Sequence, residues 1–185
     1  MPSSFPWHRL NCFTELRSPW LTLLGERWQD DQGQILDYWR VEKADSIIIL
    51  PRYQQALLLP KPQFRPGLNQ VTWDFPGGRW PEQTPIGNVI PQILQRELGL
   101  EAENIAALIP INHQGWPVNS SFSNQKLYGY LADIHPETEI SLHHLGGRYP
   151  LTPTGLQDLL TILVCLQCRA LLLDWWTTQG SSQAD

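Results

Sequence analysis

The stretch GGRWPEQTPIGNVIPQILQRELGL, residues 77–100, decides how the rest of the chain is read. PGGRWPEQ (76–83) reads as a loop. Thr84 followed by Pro85 then reads as a helix start, with Thr84 as N-cap and Pro85 in the first turn. Gly99 is placed to end that helix, because a glycine readily takes the left-handed conformation of a C-cap. Positions 93, 96 and 97 stand at i, i+3 and i+4, so they share one helical face. That face carries Ile93, Arg96 and Glu97: an aliphatic residue, a cation and one acid. Gly87 and Pro91 fall inside the helix, and Pro91 disfavours helical geometry at Ile90. The sequence therefore predicts a kink, or a helix that effectively begins near Pro91.

Strand patterns surround this element. WLTLLGERW (20–28) and ILDYWRVE (35–42), joined by the polar QDDQGQ, read as a strand pair. SIIILP (46–51), ALLLP (56–60) and VTWDF (71–75) are short apolar runs bounded by Pro, Arg or Gly, as expected for strands buried on both faces. NIAALIPI and KLYGYLADI (126–134) read as further strands, and HPETEISLHHLGGRYPLTP as a long polar connection. Thr154-Gly155-Leu156-Gln157 resembles a capping box opening one long terminal helix, about 156–176. Strands, then one helix between strands, then a terminal helix predict a mixed sheet flanked by helices. Residues 1–17 show no sustained periodicity and read as an arm. Residues 18–178 read as a single domain, with 18–42 as its extension, and 179–185 as a polar tail.

Composition limits the function. A chain of 185 residues that is 42% hydrophobic suffices for one well-buried domain. A formal net charge of −5 and the lack of a dense Lys/Arg run argue against sequence-independent nucleic-acid binding. The N-terminus MPSSFPWHRLNCF lacks a basic segment followed by an apolar core, which reads against a secretory signal. LLTILVCLQCRALLLDWW (159–176) is interrupted by Gln167, Arg169 and Asp174, and reads as a buried or interface helix rather than a membrane span. Three cysteines suit a reducing compartment, so a cytoplasmic location is expected. Nine tryptophans divide between core and protein interface.

With its approach VTWDFPGG and exit GLEAENI, the 77–100 stretch resembles the box of the Nudix superfamily, G-x5-E-x7-R-E-U-x-E-E-x-G-U. Gly78 and Gly99 take the terminal glycines without a gap. The resemblance implies an α/β (α+β) fold: a Nudix-like α/β/α sandwich with a mixed sheet, an N-terminal antiparallel strand extension and a long C-terminal helix. The family's box acids fall here on Thr84, Ile93, Arg96 and Glu97, so one of four is retained, and the arginine falls on Gln92. In the family those carboxylates are hard oxygen ligands for Mg²⁺ on a diphosphate. A guanidinium about 4 Å from a cation repels it by roughly 4 kcal/mol per unit charge at an effective dielectric near 20. Weak metal binding and little hydrolysis are the expectation.

Residues 18–42, the run SIIIL and QFRPG resemble the branch acting on ADP-ribose and nucleoside diphosphate sugars. There a strand pair commonly mediates dimerisation and an arginine like Arg65 lies near the substrate. A catalytic glutamate after the box corresponds to Gln125. Arg65, Arg79 and Arg96, with Gly77 and Gly78, are the candidate ligand-binding residues, since guanidinium matches phosphate geometry. Arg52 is a weaker member of that set. Glu97 is the candidate metal ligand, or catalytic residue if the chain is active. Glu82 is a further candidate, and Asp74, Glu101 and Glu103 are the remaining nearby acids. Set against these roles are solvated arginines that never converge, and a strand Asp74 that only bonds its neighbours. Cys165 and Cys168 form a CxxC that reads as lying mid-helix, which favours packing over redox or zinc chemistry, for which Cys12, His143 and His144 would be the other ligands.

Three functions remain. The first is a hydrolase-like protein that binds a phosphorylated small molecule or a protein partner, homodimeric and without a cofactor. The second is an active Mg²⁺-dependent pyrophosphatase using displaced carboxylates, Glu97 with Glu82 or Asp74. The third is a structural subunit of a larger assembly.

Overall fold

Strand β4 (Ser46–Tyr53) is apolar at successive positions because both of its faces are covered, and Ile47, Ile49 and Leu50 are fully buried. It lies at the centre of the main sheet in a computed structural model that describes residues 7–81 and 83–180. β4 runs parallel to β11 (Lys126–Ile134) and antiparallel to β5 (Ala56–Pro60) and β8 (Gly77–Arg79). β9 (Ile105–Pro110) pairs antiparallel with β11, β12 (Leu145–Pro150) pairs antiparallel with β5, and the short β10 (Trp116–Pro117) completes seven strands. β6 (Gln63–Arg65) and β7 (Gln70–Thr72) form a separate hairpin.

The two faces of this sheet carry different helices. In β4 and β11, Ile47 pairs with Tyr128 and Ile49 with Tyr130, and these side chains pack with helix α1 (Ile86–Leu98) in one core. Each of the helix residues Val89, Ile90, Ile93, Leu94 and Leu98 is buried, and each contributes about 1.5–3 kcal/mol relative to exposure. On the opposite face Gly129 of β11 admits α3 (Leu166–Trp175), because a Cβ there would lie 2.0 Å from Leu171 Cδ1. The result is a mixed α+β sandwich with a Nudix-like fold, as expected from the sequence.

The chain divides into two compact units. One comprises Asp45–Trp116 and the chain from Leu127 onward; the other comprises the chain up to Ala44 and Pro117–Lys126. The second of these holds a three-stranded antiparallel sheet, β1 (His8–Arg17), β2 (Thr22–Gln29) and β3 (Ile35–Glu42). β2 and β3 are the expected strand pair. β1 is a strand where an arm was expected. Its pairing with β2 slips by one residue at Leu10 and again at Phe13. These bulges give the apolar residues Leu10, Phe13 and Leu16 a spacing of three, which conceals strand alternation. The backbone of Val41 bonds Phe122, joining the Pro117–Lys126 segment to this unit.

The helices also differ from expectation. α1 is capped by the Pro85 backbone, not by the Thr84 side chain. It runs unbroken through Pro91, whose missing N–H would have bonded the carbonyl of Gly87. Gly87 is exposed in the first turn, where that carbonyl meets water. Gly99 closes the helix at φ 68°, as expected. The single long terminal helix is replaced by α2 (Pro153–Ile162) and α3, separated by an extended break. Thr152 caps α2 by accepting from the Gly155 N–H at 3.1 Å. At the break Leu163 is buried and bridges the backbone of Trp73, and Arg169 donates to the carbonyls of Leu163 and Leu160. A side chain thereby satisfies carbonyls that the interrupted helix leaves open. Among the described residues, no helix is long and apolar enough to cross a membrane.

Candidate functional site

Helix α1, the β8 strand, the β6–β7 hairpin and the α2–α3 break enclose a cavity of about 660 Å³. Gly77, Gly78, Arg65, Arg79, Arg96 and Glu97 all line it, so the candidate ligand-binding set converges. The glycines are there for close packing. A Cβ on Gly77 would lie 2.9 Å from the Ile47 carbonyl, and one on Gly78 3.1 Å from Ile93 Cδ1.

The α1 face meets the cavity only through Arg96 and Glu97. Ile93 points into the core beneath Gly78 and is 3% exposed. Arg96 extends across the β8 edge, donating to the Gly77 carbonyl at 3.0 Å and to the Glu97 carboxylate. The Glu97 side chain is largely buried. Burial raises its carboxyl above the ordinary range, opposed by the Arg96 guanidinium, the Gly77 backbone and, at longer range, Arg65.

Asp74 is the other lining carboxylate. Its Oδ2 accepts from Arg65 Nε at 2.8 Å and from Thr72 Oγ1 at 2.9 Å, which ties it to the β6–β7 hairpin. Both acids of the cavity among the described residues thus already carry a guanidinium partner. This donor set does not fit a Mg²⁺–diphosphate centre. Such a centre needs several hard oxygens free to face the ion, and on this face of α1 Ile93 is buried and aliphatic and Arg96 is cationic.

The other candidates lie elsewhere. Arg52 pairs with Asp133 across β4 and β11, with Nη2 to Oδ2 at 2.8 Å. Glu101 accepts from Gln95 and helps cap the 3₁₀ turn Ala102–Asn104, while Glu103 is exposed. Gln125 belongs to the three-stranded unit, where its amide donates to the Ala44 carbonyl at 3.0 Å. Glu82 lies outside the described residues. Trp175, in the segment read as a buried or interface helix, is buried, and His144 lies against Gly99.

Sequence reading missed one wall. Because the terminal helix is broken, Cys165 is the N-cap of α3, and Cys168 lies one turn along. The mid-helix placement of the CxxC is therefore corrected. Both cysteines line the cavity, with Val164 and Gln167. The neighbouring Cys168 thiol lowers Cys165 to about 6, against burial, while the same contact and burial push Cys168 up. The helix break carried no proline or glycine, so nothing in residues 163–165 announced it.

No family model matches the chain, and no curated protein matches it in sequence. Its fold is similar to that of a crystal structure described as an ADP compounds hydrolase, with a TM-score of 0.76 and 20% identity, covering 97% of this chain and 99% of that one.

Proposed function

We propose that the chain binds a nucleotide-type ligand bearing a diphosphate and does not hydrolyse it efficiently. The observation that carries this reading is the lining of the cavity: Arg65, Arg79 and Arg96 converge on it, and among the described residues its carboxylates, Asp74 and Glu97, are each held by a guanidinium. A diphosphate supplies the anionic oxygens for such a wall through charge-assisted hydrogen bonds. The volume is that of a small-molecule site, and Leu68 and Val164 offer apolar lining for a base. The similarity to an ADP compounds hydrolase supports the choice of a nucleotide, and the loss of carboxylates at Thr84, Ile93 and Arg96 supports impaired chemistry.

The test is to titrate ADP-ribose into the protein and to assay its cleavage with Mg²⁺ or Mn²⁺. Saturable binding without turnover is expected. A working pyrophosphatase is the competing reading, favoured by one observation: Asp74 and Glu97 line the same cavity. Turnover at ordinary enzyme rates, abolished by Glu97→Gln, would establish that reading instead.

A homodimer formed through the three-stranded unit belongs to the same proposal. Phe13 and Trp39 meet edge to face at 5.5 Å across Gly25; Ile35 lies on the same side of β3 as Trp39, with the exposed Asp37–Arg27 ion pair between them. Exposed aromatic residues around an ion pair, each available to its symmetry mate, suit a second copy of the chain.

A further inference from the structure

The wall of the cavity formed by Asp74 and the start of α3 holds a chemistry that the arginine clamp does not use. One carboxylate oxygen of Asp74 and the thiols of Cys165 and Cys168 lie within 4.8 Å of one another. We infer that Asp74, Cys165 and Cys168 form a site for a thiophilic divalent cation, zinc, with its fourth position open to the cavity.

The elements that bring these groups together are specific. The α2–α3 break sets Cys165 at the start of α3, and the packing of Leu171 over Gly129 fixes that helix on the sheet. Cys168 is then buried with its Sγ 3.9 Å from Asp74 Oδ1. Asp74 is oriented for such a role, because Arg65 and Thr72 occupy Oδ2 and leave Oδ1 toward the thiols. Outer contacts of this kind hold a metal-ligating carboxylate in place.

Tetrahedral zinc with bonds of about 2.3 Å to sulfur and about 2.0–2.2 Å to oxygen needs ligand atoms roughly 3.5–3.8 Å apart, so only a small contraction is required. Two thiolates and a carboxylate also discriminate against Mg²⁺, which prefers oxygen, so the site does not restore the family's metal centre. Both sulfurs bind as thiolates, so zinc binding releases whatever protons the two thiols still carry. Charge is balanced as well, since three ligand negatives meet the doubly charged ion and the Arg65 guanidinium on the outer oxygen. Three protein ligands with one open position is the arrangement in which zinc accepts a water or a ligand oxygen.

The test uses the full chain, reduced and metal-free, with zinc alone and no nucleotide, so its outcome is separable from that of the phosphate-binding reading. One tightly held zinc per chain is expected, and zinc should slow alkylation of Cys165 and Cys168 while leaving Cys12 unchanged. Cobalt in place of zinc should give thiolate-to-metal charge-transfer absorption. Cys165→Ser, at a half-buried position, should abolish tight binding, and Asp74→Asn should weaken it by at least roughly tenfold. Failure to retain zinc, unchanged alkylation rates, or undiminished binding in Cys165→Ser would overturn the assignment. So would stable conversion of the pair to a disulfide by a small disulfide oxidant with no effect of zinc on that reaction.

Discussion

Arg96 is the residue on which the binding account turns, because it sets a cation at the cavity wall beside Glu97. It already spans from α1 to the Gly77 carbonyl, so its guanidinium is held at the cavity wall. Arg96→Ala should lower the affinity for ADP-ribose by about tenfold or more, the loss of a hydrogen bond to a charged group being worth about 1.5–3 kcal/mol. Calorimetric titration measures it. Glu97 gives a pH dependence of defined sign. Its folded-state carboxyl is raised above 4.5, so its favourable contribution is present below that value and lost as pH rises through the folded value. Glu97→Gln should therefore gain stability relative to the parent chain between pH 4 and pH 7. Thermal melts of the two across that range check it. Helical spacing in the sequence already set Ile93, Arg96 and Glu97 on one face of α1. The burial of Ile93 was not legible there, because helical spacing tells which residues share a face but not which of them the sheet covers.

At the scale of elements, two close contacts carry testable consequences. Gly129 is the gap into which Leu171 of α3 fits, so Gly129→Ala forces α3 away from β11. A cost of about 1–3 kcal/mol is expected from overpacking, read by urea denaturation. In the three-stranded sheet, Glu26 is fully buried and accepts from Arg40 Nε at 2.7 Å, from Arg9 at 3.0 Å and from the Trp28 indole at 3.1 Å. Arg40 chiefly, against burial, lowers its carboxyl from 4.5 to about 2. The depressed value stabilises the unit above pH 4.5, and the contribution disappears as pH falls toward 2. Glu26→Gln should cost at the lower end of about 3–5 kcal/mol at neutral pH, because Arg9 keeps access to water. Its effect on denaturant midpoint should vanish at acid pH. β2 to β5, β9 and β11 were readable as apolar runs; β1, β6, β8, β10 and β12 were not, and VTWDF, expected as a strand buried on both faces, is strand only through Thr72, in a separate hairpin with Val71 exposed. Bulges hide the alternation of β1, paired glycines dilute β8 and β12, and the α2–α3 break depends on a tertiary bridge between Leu163 and Trp73.

For the whole molecule, the apolar Phe13–Trp39 face and the charged cavity belong to different compact units, so they can be altered separately. Phe13→Lys should shift the chain toward monomer in light scattering while its melting transition for the Asp45-containing unit stays in place. Loss of that transition as well would argue that the two units fold as one. The central claim concerns the cavity and is tested most directly by calorimetric titration of ADP-ribose into the chain in the presence of Mg²⁺, which records binding heat and turnover heat together. A saturable binding signal that returns to baseline after each injection is the expected result. Sustained thermal power after each injection, or no binding heat at all, would contradict it.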